Sequence, residues 1–299
     1  MAASTATSLN DLLNTEVIQD LTLDYARAAA FLPKLVWQKD ISGSGSYVAN
    51  FPKFGSLAAA ALTDGTDMTS TQLSTDQSGQ ITASEVGVQV ALTDKALKGS
   101  AGRIDVNAIA RQCGLAVADK LETDIAAVFA SFSASVGSTG VDLTLANLDE
   151  AIYALQLANV PLGNPSEQVN PVAFTQYQCV LHPRQVADFR TALRVANYAQ
   201  PIPIAMDVLE KAGASAGGMV GEYMGVLFWQ SSVCATANAG DDRVGAMFVP
   251  AAIGLVTYGG PSIEFQRDAS LRATEVNAVQ IYGTGIASNP YGVKIVTDA

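Results

Sequence analysis

Cys179 and His182, three residues apart, are the pair of side chains in this sequence that comes nearest to a catalytic or metal-binding motif. A thiol beside an imidazole can work as a nucleophile with its base, and a Cys-x-x-His pair can supply half of a zinc site. The chain has no second histidine, and its other cysteines, Cys113 and Cys234, lie far away along the sequence. Cys179 is also centred in an apolar, strand-like run, where a buried cysteine is ordinary. We therefore predict no metal ligand and no catalytic residue, and we keep a cytosolic Cys-His hydrolase as an alternative.

The glycine-rich and acidic strings do not fit a binding site either. A phosphate-binding loop needs a strand, a glycine turn and then a helix N-terminus. Here Gly217-Gly218 leads into a strand-like run, and Gly283-Thr-Gly285 lies within one. Asp64-Gly-Thr-Asp67 lacks the remaining ligands and the closing glutamate of a calcium loop. The sequence therefore predicts no cofactor and no enzyme.

The longest helical pattern in the chain runs from Arg103 to Phe132 and contains no proline. Its apolar residues recur at the spacing of one helix face; they are Ile109, Cys113, Val117, Leu121, Ile125, Val128 and Phe132. A helix of this length would be roughly 45 Å long. It needs an equally long partner, and the alternating runs at 263–267 and 272–286 predict the long strands that could supply one.

Two other segments have little to bury themselves against. Residues 1–35 carry a narrow apolar stripe at helical spacing, which fits either a helix of the core or an arm packed on a neighbouring subunit. Strand-like runs at 46–51 and 81–92 flank about thirty residues rich in small and polar side chains. We read this region as a long hairpin that rests on another chain, with a solvated flexible loop as the alternative.

Residues 141–258 alternate between helical and strand-like patterns, which is typical of a mixed α/β subdomain. Thr144 is placed to cap a helix, and Pro183 suits the first position of another because that position needs no backbone N–H. Small residues between Phe132 and Gly140 suggest a subdomain boundary before this region.

Composition excludes several classes of protein. About half of the 299 residues are apolar, enough for a large core and two subdomains. The net charge of −11 is spread along the chain with no basic segment, which argues against tight or sequence-specific nucleic-acid binding. No apolar run reaches the eighteen or so residues that span a membrane, and the first ten residues lack the features of a secretory signal. Three widely spaced cysteines suit free thiols in a reducing cytoplasm.

The order of these elements is accompanied by several local strings: Val180-Leu-His-Pro-Arg184, Gly218-Met-Val-Gly-Glu-Tyr-Met-Gly225, Tyr282-Gly283 and Asn289-Pro-Tyr-Gly-Val-Lys-Ile-Val296. Together they resemble the major capsid proteins of tailed bacteriophages, which have the Hong Kong 97-type fold. The resemblance covers nearly the whole chain. It implies an α+β fold with an N-arm, an extended β-hairpin loop, a peripheral domain with a long spine helix, and a mixed α/β axial domain.

The resemblance also implies boundaries for these parts. The expected division is an N-arm at 1–36, a peripheral domain at 37–132 with 259–299, and an axial domain at 133–258. Within the peripheral domain, the extended loop would be 40–80 and the spine helix 103–132. Assembly contacts are expected at six residues, which are Phe51, Lys53, Asp64, Asp67, Gly217 and Gly218.

The function implied by the resemblance is structural. Copies of the chain would assemble in the host cytoplasm into hexamers and pentamers of an icosahedral shell, and the virion would enclose double-stranded DNA. Expected partners are the chain itself and a portal, with scaffold or decoration proteins as further candidates. Contact with the packaged DNA would be non-specific, and no membrane would be involved. An encapsulin-type compartment loaded with enzyme cargo shares this fold and is the second alternative.

Two departures from the family pattern carry expectations of their own. Many relatives begin with a long scaffolding segment that is cleaved, whereas here the first helical pattern starts near Leu9 from Met1, so we expect a separate scaffold or none. Some relatives crosslink a loop lysine to an asparagine of a neighbour. The presumed loop tip, 58–71, has no lysine, and Lys53 lies well back from it, so we expect no covalent crosslink.

Overall fold

The computed structural model describes residues 30–51, 79–95, 106–158, 177–197 and 218–298, with single positions between 59 and 70. The α-helices in these ranges are α1 (Val106–Phe129), α2 (Leu145–Leu157) and α3 (Pro183–Asn197). The strands are β1 (Trp37–Asp40), β2 (Val48–Phe51), β3 (Gly79–Thr82), β4 (Ser84–Thr93), β5 (Ala134–Val136), β6 (Tyr177–Leu181), β7 (Met219–Tyr223), β8 (Val226–Gln230), β9 (Ala235–Ala237), β10 (Asp242–Phe248), β11 (Ile253–Thr257), β12 (Ser262–Asp268), β13 (Ala273–Ile286) and β14 (Gly292–Asp298).

Helix α1 is the long helix that the sequence predicts. The predicted stripe from Cys113 to Phe132 is buried, with each side chain at most 8% exposed. The helix ends at Phe129 rather than at Phe132, and Phe132 reaches the core from the turn that follows. Residues 103–105, the predicted beginning, lie outside the described residues.

The first sheet has the strand order β1-β11-β13-β12, with β4 also paired to β13. The long strand β13 lies between β4 and β12 along its first half and pairs with β11 at its end. One face of this sheet packs on α1, where Cys113 lies against Ile263, Val276 and Ala278. The predicted pairing of the long helix with C-terminal strands is therefore confirmed.

The second sheet has the order β5-β14-β10-β6-β8-β7, with β9 also paired to β10. Helices α2 and α3 cover one of its faces, where Leu148 and Phe189 join a cluster with Met247 of β10. Both helices begin as predicted. The Thr144 hydroxyl accepts a hydrogen bond from the Asn147 backbone N–H, and Pro183 is the first residue of α3.

The C-terminal half of α1 joins the two sheets. Ile125 and Phe129 belong to one buried cluster with Phe248 of the second sheet and with Leu255 and Tyr282 of the first. The Tyr282 hydroxyl donates a 2.8 Å hydrogen bond to the Asp124 carboxylate, which fixes β13 to the helix. A single helix therefore holds both sheets in one core.

Two strands lie in the opposite sheet from the one that the predicted domain boundaries imply. Strand β14, assigned by sequence to the peripheral part, pairs with β10 in the second sheet. Strand β11, assigned to the axial part, pairs with β1 and β13 in the first. The reason is that sheet membership depends on pairing between distant parts of the chain, which local patterns do not specify. The boundaries themselves stay a prediction.

Strands β2 and β3 form the base of the predicted hairpin, with Val48 opposite Thr82 and Phe51 opposite Gly79. The base rests on its own subunit, because Phe51 and Ile81 pack against Val256 of β11. The expectation that the hairpin rests on another chain therefore does not hold for its base. Most of the segment between these strands and the predicted N-terminal helix lie outside the described residues.

Candidate functional site

The Cys179–His182 pair does not form a catalytic arrangement. Cys179 is fully buried within β6, and burial raises the pKa of its thiol well above the ordinary value. His182 instead precedes α3 and caps it: its backbone N–H donates to the Gln185 side chain at 3.0 Å, and its Nδ1 accepts from the Arg184 N–H at 3.3 Å. A thiol that stays protonated in a core is not an activated nucleophile, so this geometry argues against the Cys-His hydrolase.

The other candidates for chemistry are equally inert among the described residues. Cys113 and Cys234 are buried free thiols, and burial raises the pKa of Cys234 to about 12 although Arg243 acts in the opposite direction. No group of three or more acidic, cysteine or histidine side chains in the described ranges could hold a metal ion. None of the helices described above is long and apolar enough to cross a membrane.

Thiol labelling tests this description. In the folded protein we expect a maleimide reagent to leave Cys113, Cys179 and Cys234 unmodified, because each side chain is buried and protonated. The same reagent in concentrated urea should modify all three. Mass spectrometry of the digested protein reads out each site separately. Rapid labelling of Cys179 alone in the native protein would contradict the structural role and revive the hydrolase alternative.

The structure instead directs attention to two places in the core: Phe31, which connects to the N-terminal segment, and the strands β2 and β3, which connect to the segment between them. The first is Phe31, at the root of the N-terminal segment. Its backbone N–H donates to Oε1 of Glu122 on α1 at 2.6 Å, and the Leu32 N–H donates to the same oxygen at 3.3 Å. Its ring stacks on Trp229 of β8, with ring centroids 5.8 Å apart. Phe31 is therefore fixed to both the long helix and the second sheet.

A groove of about 530 Å³ opens beside this root. Ala30, the first described residue, lines it together with Val117 and Leu121 of α1. Its other wall is the edge of the first sheet and the turn that follows β11, where Asp40 accepts a hydrogen bond from the Gly259 N–H. The described part of the chain thus begins beside a partly apolar groove.

Glu122 is the polar contact on which the arm root depends. The side chain is 9% exposed, and burial raises the pKa of its carboxyl, with Asp119 nearby acting in the same direction and the two backbone hydrogen bonds opposing. Because this folded-state pKa lies above the unfolded one, the carboxyl contributes most stability below its unfolded pKa. That contribution is lost as pH rises through the folded pKa.

Two substitutions at Glu122 should therefore differ in sign. Glu122→Gln keeps an oxygen acceptor without a charge, so at pH 7 we expect it to be at least as stable as the natural chain, with the difference closing as the pH falls toward about 4. Glu122→Ala leaves two backbone donors without this acceptor and should lower the free energy of unfolding by about 1–3 kcal/mol. Urea unfolding at several pH values measures both. Equal losses from the two variants would contradict the account.

The second root is the hairpin base, on the face of the first sheet opposite α1. Strand residues alternate between faces, so Val256 and Gly283 face the hairpin while their neighbours Leu255 and Tyr282 face the helix. The Phe51 ring meets Trp37 edge-on at 4.9 Å, and Lys39 Nζ donates to the Asn50 carbonyl at 3.0 Å. The hairpin base is thus held by both apolar and polar contacts.

The structure places the predicted assembly residues in different environments. Phe51 is 1% exposed and anchors the hairpin inside the subunit, so its ring offers no surface to a neighbour. Asp64 and Asp67 are exposed, while Lys53 and Gly217 lie outside the described residues. Gly218 is exposed with φ +89° and lies against the Phe31 ring, which places it at the arm root. Their role in assembly stays a prediction.

Some large apolar side chains are exposed on the described surface, and the sequence analysis does not single them out. Tyr47 and Tyr258 pair beside the hairpin base with ring centroids 5.7 Å apart. Tyr153 and Leu157, four residues apart on α2, are both more than half exposed. Their helical spacing on the side away from Leu148 and Ile152 is a second apolar stripe, which could have been read from the sequence. Tyr47 and Tyr258 are distant in the sequence, so no local sequence pattern predicts their pairing.

Solved structures with a similar fold come from phage heads and a virus-like particle. The capsid of Ralstonia phage GP4 matches with a TM-score of 0.67 and 12% identity, covering 91% of this chain and 92% of that chain. The head structure of Helicobacter pylori bacteriophage KHP40 matches with a TM-score of 0.65 and 10% identity, covering 91% of each. The virus-like particle from Pyrococcus furiosus matches with a TM-score of 0.57 and 13% identity, covering 94% and 98%.

No family model and no curated protein matches the sequence. The structural likeness nevertheless extends over about nine-tenths of the chain in each comparison. The chain has the fold of the tailed-phage major capsid proteins, the Hong Kong 97-type fold that the sequence predicts.

Proposed function

We propose that this chain is a structural shell protein whose copies assemble into hexamers and pentamers of an icosahedral phage capsid. The observation that carries the proposal is the capsid-type fold over about nine-tenths of the chain. The buried cysteines and the helix-capping role of His182 agree with a structural rather than a catalytic function. In the virion the shell would enclose double-stranded DNA.

In this mechanism, α1 holds the body of the subunit together, and two segments of the chain are joined to that body. Helix α1 fixes both sheets in one buried cluster, so the body of the subunit acts as a rigid unit. The N-terminal segment joins this body at Phe31, and the segment between β2 and β3 joins it at Phe51; both residues are held by contacts within the subunit. One chain must occupy slightly different positions in pentamers and hexamers, and these segments would absorb the differences while the body stays constant.

The partners follow from the same arrangement. The extended loop would lie over the adjacent subunit, and the N-arm would reach a neighbour. The axial domain would meet its copies around the capsomer axis, with residues 213–218 near the centre. A portal, and a separate scaffold or a decoration protein, would complete the particle. With a net charge of −11 and no basic segment, contact with packaged DNA would be weak and non-specific.

A second candidate is the shell of an encapsulin-type compartment that holds enzyme cargo. The observation in its favour is the match to the virus-like particle from Pyrococcus furiosus, which covers 98% of that chain. Both functions use the same shell geometry, so the contents of the particle distinguish them rather than the fold.

The content of particles isolated from the natural source tests the proposal. We expect nuclease-resistant double-stranded DNA inside particles built mainly from this chain. The measurement is nucleic-acid quantification after nuclease treatment, combined with mass spectrometry of every protein in the particle. Particles without DNA but with a stoichiometric enzyme would favour the compartment, and a chain that forms no particles would overturn both.

A further inference from the structure

The step between β3 and β4 crosses the face of the first sheet at Gly283. Strand β4 pairs with β13 up to Ser84 opposite Tyr282, and the chain then continues through Ala83 into β3 and the hairpin. At this crossing a Cβ on Gly283 would overlap the Thr82 carbonyl oxygen and lie 2.9 Å from the carbonyl carbon and 3.0 Å from the Ala83 Cα. Backbone therefore rests directly on backbone at Gly283.

The other glycines at the hairpin base fall into two kinds. A Cβ on Gly79 of β3 would also meet backbone, that of Ile286 and Ala287 at 2.6 to 2.9 Å, whereas a Cβ on Gly285 or Gly254 would meet side chains. Gly285 lies two residues further along the same face of β13, and a Cβ there would meet only Ile81 side-chain atoms, at 3.2 Å or more. A Cβ on Gly254 would lie 2.6 Å from Ile81 and 2.8 Å from Phe51, and both side chains are buried in the hairpin base, so they can give way only if the base shifts. At Gly285 the Ile81 side chain lies far enough away to adjust, whereas the backbone contact at Gly283 cannot be relieved without moving the strand.

The hairpin strand at the crossing is also tied from its other side. The Ala83 N–H donates to the Tyr47 carbonyl at 2.7 Å, which links the residue at the crossing to the chain just before β2. Gly283 lies within β13 in extended backbone, so what requires glycine is the space and not the backbone angle. A methyl group at this position would lift or tilt β2 and β3 together.

We propose that Gly283 is a positioning residue for assembly, which sets the direction in which the segment between β2 and β3 leaves the subunit toward a second copy of this chain. This inference rests on the proposed shell function. A tilt of β2 and β3 would redirect the chain at Phe51 and Gly79, where the described strands end, so contact with the second copy is lost before the subunit itself unfolds.

The test compares Gly283→Ala with Gly285→Ala in the full-length chain. Both add one methyl group to the same face of the same strand, and only Gly283→Ala meets backbone. We expect Gly285→Ala to match the natural chain in particle yield and diameter. We expect Gly283→Ala to give a folded subunit whose particle yield falls about tenfold or more, with a broader distribution of particle diameters.

Two readouts separate a positioning role from a general loss of stability. Circular dichroism and the thermal midpoint of dissociated subunits report the fold, and electron microscopy reports particle yield and diameter. If Gly283→Ala does not fold, Gly254→Ala replaces it in the test: its methyl group would press on the Ile81 and Phe51 side chains that anchor β2 and β3, so the variant should fold, displace the same hairpin base and widen the diameter distribution. Uniform particles in natural yield from Gly283→Ala, or from Gly254→Ala in that case, would overturn the inference. Absence of particles from the natural chain would instead count against the proposed function.

Discussion

A variant that lacks residues 58–71 is expected to fold as the full chain does and to close almost no stable shells. These residues lie in the middle of the segment between β2 and β3, and their removal leaves both strands and their contacts with Trp37 and Val256 unchanged. The variant should therefore stay soluble with an unchanged thermal midpoint. Particle yield should fall by about tenfold or more, because each lost intersubunit contact of ~1.4 kcal/mol lowers an association constant about tenfold.

Sedimentation velocity and electron microscopy measure this yield. A second variant, in which 58–71 is replaced by a glycine-serine linker of equal length, separates lost side-chain contacts from lost reach. We expect the linker variant to fail as well, because the contact requires the native side chains. If the deletion variant formed particles in the same yield as the natural chain, the extended loop would have no role in assembly.

The largest loss of subunit stability is expected from Phe129→Ala. The Phe129 side chain is fully buried, its ring lies 5.6 Å from that of Phe248, and its cluster joins α1 to both sheets. Removal of a buried phenylalanine typically leaves a cavity that the surroundings fill only in part. We expect the free energy of unfolding to fall by about 3–5 kcal/mol.

Urea unfolding of dissociated subunits measures this loss. Tyr153→Ala is the matched control, since it removes an aromatic side chain that is 62% exposed on α2; its effect should stay within about 0.5 kcal/mol. A loss from Phe129→Ala as small as that of the control would mean that α1 does not hold the two sheets together.

The sequence predicts elements well where burial has a local period. The helical stripe from Cys113 to Phe132 gave α1, and the caps at Thr144 and Pro183 gave the beginnings of α2 and α3. It placed β11 and β14 less well, because a strand carries no local record of which sheet it joins. The end of α1 at Phe129 was also missed, since Phe132 continues the apolar pattern from outside the helix.

The contacts of the candidate site are harder to predict from the sequence because they join distant parts of the chain. Glu122 binds the backbone of Phe31 across 91 residues, and no periodic pattern marks that pair. The strand-like run that ends at Phe51 predicts an assembly contact there, whereas the Phe51 ring is an anchor in the core of its own subunit. The sequence shows that Gly283 is a glycine within a strand. The need for glycine there comes from the step between β3 and β4 that crosses it, which only the three-dimensional arrangement reveals.

Electron microscopy of the purified chain decides whether it is a shell protein. If the chain is a shell protein, micrographs under assembly conditions should contain closed particles of uniform diameter, and averaged images should resolve capsomers with fivefold and sixfold symmetry. A chain that stays monomeric or forms only small oligomers, across a range of salt and protein concentrations and with any scaffold supplied, would contradict the account.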